Sequence, residues 1–121
     1  MNSLVSIITP SYNSAKFIAE TIQSVQNQTH QNWEMIIVDD GSSDETEMVI
    51  LSIIQNDNRI QFYKLSQNSG PAVARNTGIE KASGDYMTFI DADDIWFPTF
   101  IENNIKTIQE TGIPFVFSSY K

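Results

Sequence analysis

Met87-Thr88-Phe89-Ile90-Asp91-Ala92-Asp93-Asp94 is the stretch that indicates both the fold and the site. It begins as an apolar, strand-like run and stops at three carboxylates within four positions. A buried strand fixes the side chains at its C-terminal end, where clustered carboxylates repel one another unless a divalent cation compensates them. The stretch therefore predicts a Mg²⁺ or Mn²⁺ site. The alternative is a solvated acidic turn that caps the next helix, because Asp-x-Asp alone is short and common.

Strand-like and helix-like segments alternate along the rest of the chain. Runs of β-branched residues are typical of strands, and apolar residues three and four apart are typical of helices. The predicted strands are 4–10, 33–38, 60–65, 85–90 and 114–118. The predicted helices run from 13 or 14 to about 28, from 42 past 53, over 70–84 and over 98–110. This alternation predicts an α/β fold, an open, mostly parallel, Rossmann-like sheet with helices on both faces.

Individual residues predict where some of these elements end. Pro10 is expected to halt the first strand, because proline has no N–H group to donate to a sheet. Asn13 or Ser14 is expected to cap the first helix. Ser42 and Glu45 have the spacing of a capping box for the second helix.

Polar clusters follow three of the predicted strands. They occupy residues 9–13, 39–42 and 91–94. In an open parallel sheet, ligands bind beyond the carboxyl ends of the strands, so the three clusters are expected to converge on one crevice. That convergence favours a functional interpretation of the acidic cluster over a capping turn.

Composition narrows the classes of partner. The 121 residues suit one domain with a real core, and 15 acidic against seven basic residues give a net charge of -8. This charge argues against nucleic acid or an anionic membrane surface as the direct partner, and a phosphorylated ligand would need a cation as intermediary. No cysteine is present, and no run approaches the roughly 18 apolar residues of a membrane segment. A cytoplasmic location is permitted and is the expected one.

Five segments resemble, in the expected order, the donor-binding half of a family 2 glycosyltransferase with the GT-A fold. They read VSIITPSYN at 5–13, SVQNQT at 24–29, IVDDGSSD at 37–44, NSGPAVARNTG at 68–78 and FIDADD at 89–94. The resemblance implies a nucleotide-sugar donor, most often a UDP-sugar, and an acceptor that is a glycan or lipid-linked sugar. It also implies Mg²⁺ or Mn²⁺ on the diphosphate.

The resemblance also assigns roles around the nucleobase. Tyr12 is expected to stack on the base, and Asp39 to accept a hydrogen bond from a base N–H, while Asp40 holds the loop. An ordinary, partly buried tyrosine and a structural Asp-Gly turn are the alternatives. The positions matched to nucleotide-sugar contacts are Pro10, Tyr12, Asn13, Asp39, Asp40, Arg75 and Asp91.

At the diphosphate, the resemblance implies one basic residue and a pair of acidic ones. Arg75 is expected to lie near the donor or its carboxylates, with a surface salt bridge as the alternative. Asp93 is the first choice of metal ligand, and Asp91 is expected to contact ribose or metal. Asp94 is a less certain third acid. Gly78 is expected to be required for close packing against the sheet or the nucleotide.

Other residues and alternatives complete the interpretation. Trp33 and Trp96 are expected to be packing residues, and His30, in a loop, is given no catalytic role.

Family members of this type usually transfer the sugar with inversion, helped by a carboxylate base that lies beyond the metal motif in the sequence. Residues 1–121 are therefore expected to be a single nucleotide-sugar-binding domain, a fragment that binds donor without transferring sugar. A non-catalytic nucleotide-binding domain remains open, whereas a phosphoacceptor receiver domain fits the layout poorly, because its acidic pair should end the first strand.

Overall fold

The computed structural model describes residues 2–112 and the backbone of 117–118. Within these residues, strands β1 to β5 are Val5–Ser11, Trp33–Asp39, Ile60–Lys64, Tyr86–Phe89 and Phe117–Ser118. Helices α1 to α4 are Ile18–Gln26, Thr46–Ile54, Pro71–Lys81 and Phe100–Thr111. Residues 114–116 of the predicted last strand lie outside the described residues. Among the described helices, none combines the length and the apolar character needed to cross a bilayer.

The strands form one sheet in the order β3-β2-β1-β4-β5, and each neighbouring pair is parallel. Ile8 at the centre of β1 is paired with Ile36 on one side and with Phe89 on the other. The predicted α/β sheet is confirmed. A receiver domain has the strand order 2-1-3-4-5, so the observed order is against that alternative.

Helices pack on both faces of the sheet, as predicted. On one face, Val5 and Ile7 of β1 lie in a core with α1, α2 and α4. On the other face, Ala74 of α3 packs with Ile36 and Val38 of β2. Burial on both faces explains why β2 is a nearly continuous apolar run.

Both tryptophans pack in the larger core, as the sequence predicts. The ring of Trp96 stacks on Phe100 with 4.4 Å between the ring centroids. The Arg59 guanidinium lies 3.8 Å from the centroid of the Trp33 ring. Nε2 of His30 donates a hydrogen bond to the Ser3 carbonyl at 2.7 Å, in the loop before β2.

Helix α3 approaches the sheet at Gly78. A Cβ built on Gly78 would lie 2.6 Å from Cγ2 of Ile8 in β1. Any larger residue would therefore force the helix and the strand apart. Of the two reasons predicted for this helical glycine, packing against the sheet is the one observed.

Strand β1 runs through Pro10 to Ser11, so the prediction that Pro10 halts it is wrong. The Ile90 amide donates to the Ile8 carbonyl on the β4 side, and the Asp40 amide donates to the Ser11 carbonyl on the β2 side. The backbone N and C=O groups of successive residues in a strand point toward opposite neighbouring strands. Those of Pro10 therefore point toward β4, as those of Ile8 do. Pairing with β4 has ended before that point, so no N–H group is needed there.

Helices α1 and α2 begin without the predicted side-chain caps. They start at Ile18 and Thr46, and neither preceding residue makes a side-chain capping bond. The Ser14 backbone carbonyl accepts from the Ile18 amide at 2.9 Å. The Ser42 hydroxyl is bonded to Asp39 and not to the helix. Asn13 and Ser42, which are predicted to cap helices, instead form a hydrogen bond that joins the loop after β1 to the loop after β2.

Glu34 joins three strands near their amino ends, opposite the predicted site. It accepts hydrogen bonds from the Ser6 hydroxyl at 2.6 Å, from the Ser83 backbone amide at 2.7 Å and from the Gln61 side-chain amide at 3.3 Å. Partial burial acts to raise the Glu34 pKa, but these hydrogen bonds outweigh it and hold the pKa below its ordinary value. Ionised Glu34 therefore stabilises the folded state.

Candidate nucleotide-binding site

A cleft of about 340 Å³ opens at the carboxyl ends of the strands. This volume is within the range of small-ligand sites. The cleft lies where the strand order reverses between β1 and β4, which is where ligands bind in open parallel sheets. Its lining residues are Pro10, Ser11, Tyr12, Asp40, Asn68, Gly70, Pro71, Ala74, Arg75 and Asp91.

The cleft brings together five of the residues that the sequence predicts for a nucleotide sugar. They come from the end of β1, from the loops after β1, β2 and β4, and from α3, so only the fold unites them. Asn13, Asp39 and Asp93 do not line it. The five that do are Pro10, Tyr12, Asp40, Arg75 and Asp91.

A second depression of about 270 Å³ adjoins the cleft at Pro10 and Tyr12. Pro10 and Tyr12 border both spaces, and the Tyr12 side chain is 51% exposed. Asp91 borders the cleft, whereas Asp93 borders the second depression together with Phe17. The two acidic residues therefore border adjoining spaces that share Pro10 and Tyr12.

Asp39 is completely buried and serves its own loop. Its Oδ2 accepts from the Ser42 amide at 2.9 Å, and its Oδ1 accepts from the Ser42 hydroxyl at 2.6 Å. Both Asp39 oxygens thus accept from Ser42, and Asp39 does not line the cleft. Its predicted contact with the nucleobase stays a prediction. Successive residues at a strand end point in opposite directions, and it is Asp40 that borders the cleft.

The loop after β3 is attached to the loop after β2 at the wall of the cleft. Asp40 accepts from the Ser69 amide at 2.7 Å and from the Gly70 amide at 2.9 Å. Gly41 has a φ of 75°, and a Cβ there would lie 3.0 Å from the Asn68 amide nitrogen. Asp40 thus holds a loop, as predicted, and also borders the cleft.

Asn13 links the loop after β1 to the loop after β2. Its Oδ1 accepts from the Ser43 amide at 2.9 Å and from the Asp44 amide at 3.3 Å. Its own amide donates to the Ser42 hydroxyl at 2.8 Å. Asn13 has a φ of 48°, a left-handed conformation that asparagine adopts more readily than most residues. These bonds give Asn13 a structural position beside Tyr12.

Asp44 and Thr46 strengthen the same junction. Asp44 accepts hydrogen bonds from the Thr46 hydroxyl and amide and from the Ala15 amide. The Thr46 hydroxyl in turn accepts from the Ser14 amide at 2.9 Å. The bonds from Thr46, with smaller help from Ala15, outweigh the effect of burial and lower the Asp44 pKa.

Arg75 is exposed on α3 and borders the cleft. Its guanidinium carbon lies 5.9 Å from the centroid of the Phe89 ring. The ion pairs within the described residues are Arg59 with Asp57 and Lys64 with Glu47. Arg75 belongs to neither, so the described residues do not support a surface salt bridge as the reason for its position.

Asp91 and Asp93 fit a metal ion that is shared with a phosphate ligand. Within the described part of the chain, no group of three or more His, Asp or Glu side chains could hold an ion by itself. Both acids are exposed, and the Asp94 amide donates to the Asp91 carbonyl at 3.0 Å in the turn between them. Mg²⁺ is commonly held by one or two carboxylates together with substrate phosphates, and two exposed acids suit that arrangement.

Asn68 and Gly70 line the cleft but were not among the predicted site residues. The sequence contains a signal for this part of the site, since residues 66–69 are polar and follow the third predicted strand. The rule that ligands bind at the carboxyl ends of strands applies to β3 as well as to β1, β2 and β4. Phe17, which borders the second depression, was interpreted only as part of an apolar helix face.

Known structures with the same architecture carry nucleotides. Residues 1–349 of TarS from Staphylococcus aureus, solved with UDP, give a TM-score of 0.81 and 32% identity over 88% of this chain and 32% of that chain. The mannosyltransferase PcManGT from Pyrobaculum calidifontis, solved with GDP-Man and Mn²⁺, gives a TM-score of 0.83 and 25% identity over 89% of this chain and 33% of that chain. The fold is that of the GT-A glycosyltransferases.

Curated relatives are similar over nearly the whole chain. TuaG of Bacillus subtilis, a glycosyltransferase provisionally named for teichuronic acid biosynthesis, is 44% identical over 97% of this chain and 46% of its own length. WfgD of Escherichia coli, named a UDP-Glc:alpha-D-GlcNAc-diphosphoundecaprenol beta-1,3-glucosyltransferase, is 41% identical over 98% of this chain and 46% of its own length. The chain thus spans less than half of either relative.

The family comparison agrees with the fold and with the cleft. The family model described as Glycosyl transferase family 2 matches residues 6–120, which include every residue that lines the cleft. The chain therefore belongs to glycosyltransferase family 2.

Proposed function

We propose that this chain binds the nucleoside diphosphate part of a nucleotide sugar in the cleft and serves as the donor-binding domain for sugar transfer. One observation carries the proposal. Tyr12, Asp40, Arg75 and Asp91 come from four separate segments and line a single cleft at the reversal of strand order. An aromatic ring, an acceptor, a cation and an exposed acid are the groups that a base, a sugar and a diphosphate require.

Tyr12 and Asp40 bind the nucleobase in this proposal. The half-exposed ring of Tyr12 is available for stacking, which contributes about 1–3 kcal/mol per base in nucleic-acid complexes. Each Asp40 oxygen already accepts one backbone N–H, but a carboxylate oxygen has a further lone pair for a base N–H. Asp40, which lines the cleft, is therefore the proposed base contact in place of Asp39, which does not.

Arg75 and the two exposed acids bind the diphosphate end. The guanidinium is the cationic group on the cleft wall, and Asp91 and Asp93 would hold Mg²⁺ or Mn²⁺. When bound, the ion neutralises phosphate charge and stabilises the leaving nucleoside diphosphate. With a net charge of -8, the chain would otherwise repel a diphosphate. The Mn²⁺ named with the Pyrobaculum enzyme supports this assignment.

The proposed reaction is transfer of the sugar with inversion. An acceptor hydroxyl attacks the anomeric carbon, the bond from that carbon to the phosphate oxygen breaks, and the hydroxyl proton passes to a carboxylate base. We assign that base to a segment outside these 121 residues, since the chain spans less than half of its relatives. The ligands in the names of relatives support a UDP-sugar and a glycan or lipid-linked acceptor.

Calorimetric titration tests the donor site. UDP is titrated into the chain with Mn²⁺, with EDTA, and into an Asp91→Asn/Asp93→Asn variant. We expect weak binding that needs the metal and is lost in the variant. Asp85→Asn is the matched control, because Asp85 accepts from the Leu4 amide at the other end of the sheet. Absence of binding for UDP and then for GDP, CDP and dTDP would contradict the proposal.

An activity assay tests the assignment of the base. The 121-residue chain is incubated with UDP-glucose and a lipid-linked acceptor, and free UDP is measured. We expect no acceptor-dependent release. Turnover by this chain would show that the base lies within it. A longer protein that binds donor yet never transfers sugar would favour a non-catalytic nucleotide-binding role.

A further inference from the structure

Tyr12 stands between two residues whose backbones are fixed to the loop after β2. On one side, the Ser11 carbonyl accepts from the Asp40 amide at 2.8 Å. On the other, the Asn13 amide donates to the Ser42 hydroxyl at 2.8 Å. The Tyr12 side chain is half exposed and makes no hydrogen bond to another described residue. The position of its ring is therefore set by the backbone on either side.

The Ser42 hydroxyl can accept from Asn13 because Asp39 takes its proton. A hydroxyl has one hydrogen, and Ser42 donates it to Asp39 Oδ1 at 2.6 Å, which leaves lone pairs for the Asn13 amide. The Ser42 amide occupies the second Asp39 oxygen at 2.9 Å. The two Ser42 donors thus reach different Asp39 oxygens, and an amide side chain would place an NH₂ group, which cannot accept, at one of those two positions.

The Asn13 side chain completes the connection. Its Oδ1 accepts from the amides of Ser43 and Asp44, while its backbone stays in the left-handed region. The loop after β1 is thus attached to the loop after β2 through both the backbone and the side chain of one residue. Asn13, Ser42 and Asp39 themselves do not line the cleft.

We propose that Asp39, Ser42 and Asn13 are positioning residues that hold the Tyr12 ring as the platform for the nucleobase. They act through the backbone and do not touch the nucleotide. This inference rests on the proposed function, in which Tyr12 stacks on the base. It assigns to the buried Asp39 a role in recognition that its burial would otherwise exclude.

Matched substitutions at Asn13 test the connection. Asn13→Gly keeps the left-handed backbone but removes the side-chain acceptor, whereas Asn13→Asp keeps both. Binding of UDP and of pyrophosphate, each with Mn²⁺, is measured by calorimetry. We expect Asn13→Gly to weaken UDP binding about tenfold, within the range of one lost stacking contact, and Asn13→Asp to restore most of it. Pyrophosphate has no base, so its affinity should be equal in wild type and Asn13→Gly.

A double substitution separates positioning from general damage. If Asn13 acts through Tyr12, Asn13→Gly should weaken UDP binding in wild type but add nothing in a Tyr12→Ala background. Additive losses, or equal losses for UDP and pyrophosphate, would overturn the inference. So would wild-type UDP affinity in Asn13→Gly, a result that leaves the proposed function intact.

Hydrogen exchange tests the connection without a ligand. We expect Ser42→Ala to accelerate exchange of the Asn13 amide about tenfold or more, while Ser42→Thr, which keeps the hydroxyl, does not. The buried Ile50 amide in α2 reports whether the whole fold has loosened. If wild type binds no nucleotide, the proposed function fails and the positioning role for the base fails with it. Unchanged Asn13 exchange in Ser42→Ala would overturn the inference whatever the ligand result.

Discussion

The Asp40 carboxylate accepts a hydrogen bond from the Gly70 amide, with 2.9 Å between nitrogen and oxygen, and so joins the end of β2 to the start of α3. The Ser69 amide occupies the other oxygen at 2.7 Å. Because α3 carries Arg75, one buried carboxylate fixes the relative positions of the two walls of the cleft. In the proposed site, binding of the base and binding of the phosphates would therefore be linked through Asp40.

Replacing Asp40 should weaken nucleotide binding. An asparagine side chain in its place offers one acceptor oxygen where two backbone N–H groups need partners, so one amide is left unsatisfied. We expect Asp40→Asn to lower UDP affinity by about tenfold, or roughly 1.4 kcal/mol, and to speed exchange of the Ser69 and Gly70 amides. Calorimetry and hydrogen exchange check both effects. Wild-type affinity together with fast exchange would mean that the loop does not shape the cleft.

The charge of Arg75 should matter more than the charge of its neighbours on α3. We expect Arg75→Met to weaken UDP binding about tenfold but uridine binding much less, because uridine lacks the diphosphate. Lys81→Met makes the same change of charge on the same helix, where Lys81 lies over the Tyr63 ring. The UDP affinities of the two variants are compared by titration in about 150 mM salt, which screens long-range electrostatic interactions. Equal losses would show that only net charge matters.

Gly78→Ala should destabilise the protein although alanine favours helices. The added methyl would meet Ile8 at 2.6 Å, and overpacking costs about 1–3 kcal/mol against a gain of about 1 kcal/mol in helix propensity. We expect a net loss of about 1 kcal/mol in urea unfolding and weaker UDP binding, because α3 must shift. Asn76→Ala on the exposed side of α3 is the control and should change stability by less than about 0.5 kcal/mol. A stabilised Gly78→Ala variant would contradict the close packing.

Glu34 should give the protein a specific sensitivity to acid. Its pKa is lower in the folded state than in the unfolded state, so its stabilising contribution is complete above the unfolded value and is lost as the pH falls through the folded value. We expect Glu34→Gln to be less stable than wild type at about pH 7, and the difference to shrink below about pH 4.5. Urea unfolding over this range and down to about pH 3 measures it. A difference that stays constant with pH would exclude an ionised Glu34 as the cause.

The sheet and most of the cleft could be predicted because their signals are local in the sequence. The run Ile36-Ile37-Val38 predicts a strand that is buried on both faces, and the structure shows it between the two cores. Tyr12 and Asp91 follow from the rule that polar residues at strand ends meet at one edge of a parallel sheet, whereas Arg75, on α3, is implied only by the resemblance to the family. The rule requires only the order of strands and helices, which their patterns give.

The roles of Asp39 and Asp40 could not be predicted from those signals. Both follow the same strand, and which of them borders the cleft depends on the orientation of the last strand residue. The amides that Asp40 accepts belong to Ser69 and Gly70, in a loop that follows another strand. The cap assigned to Ser42 failed for the same reason, because its hydroxyl donates to Asp39 and accepts from the Asn13 amide. Contacts between loops have no periodic pattern in the sequence.

The strand order also affects how the chain is made. β1 lies at the centre of the sheet and is synthesised first, but its neighbour β4 follows three helices and two strands later. Until Tyr86–Phe89 has left the ribosome, one edge of an apolar strand has no partner, and such edges pair readily with other chains. A nascent or shortened chain that ends before β4 therefore exposes an unpaired edge of β1, which makes it prone to aggregate.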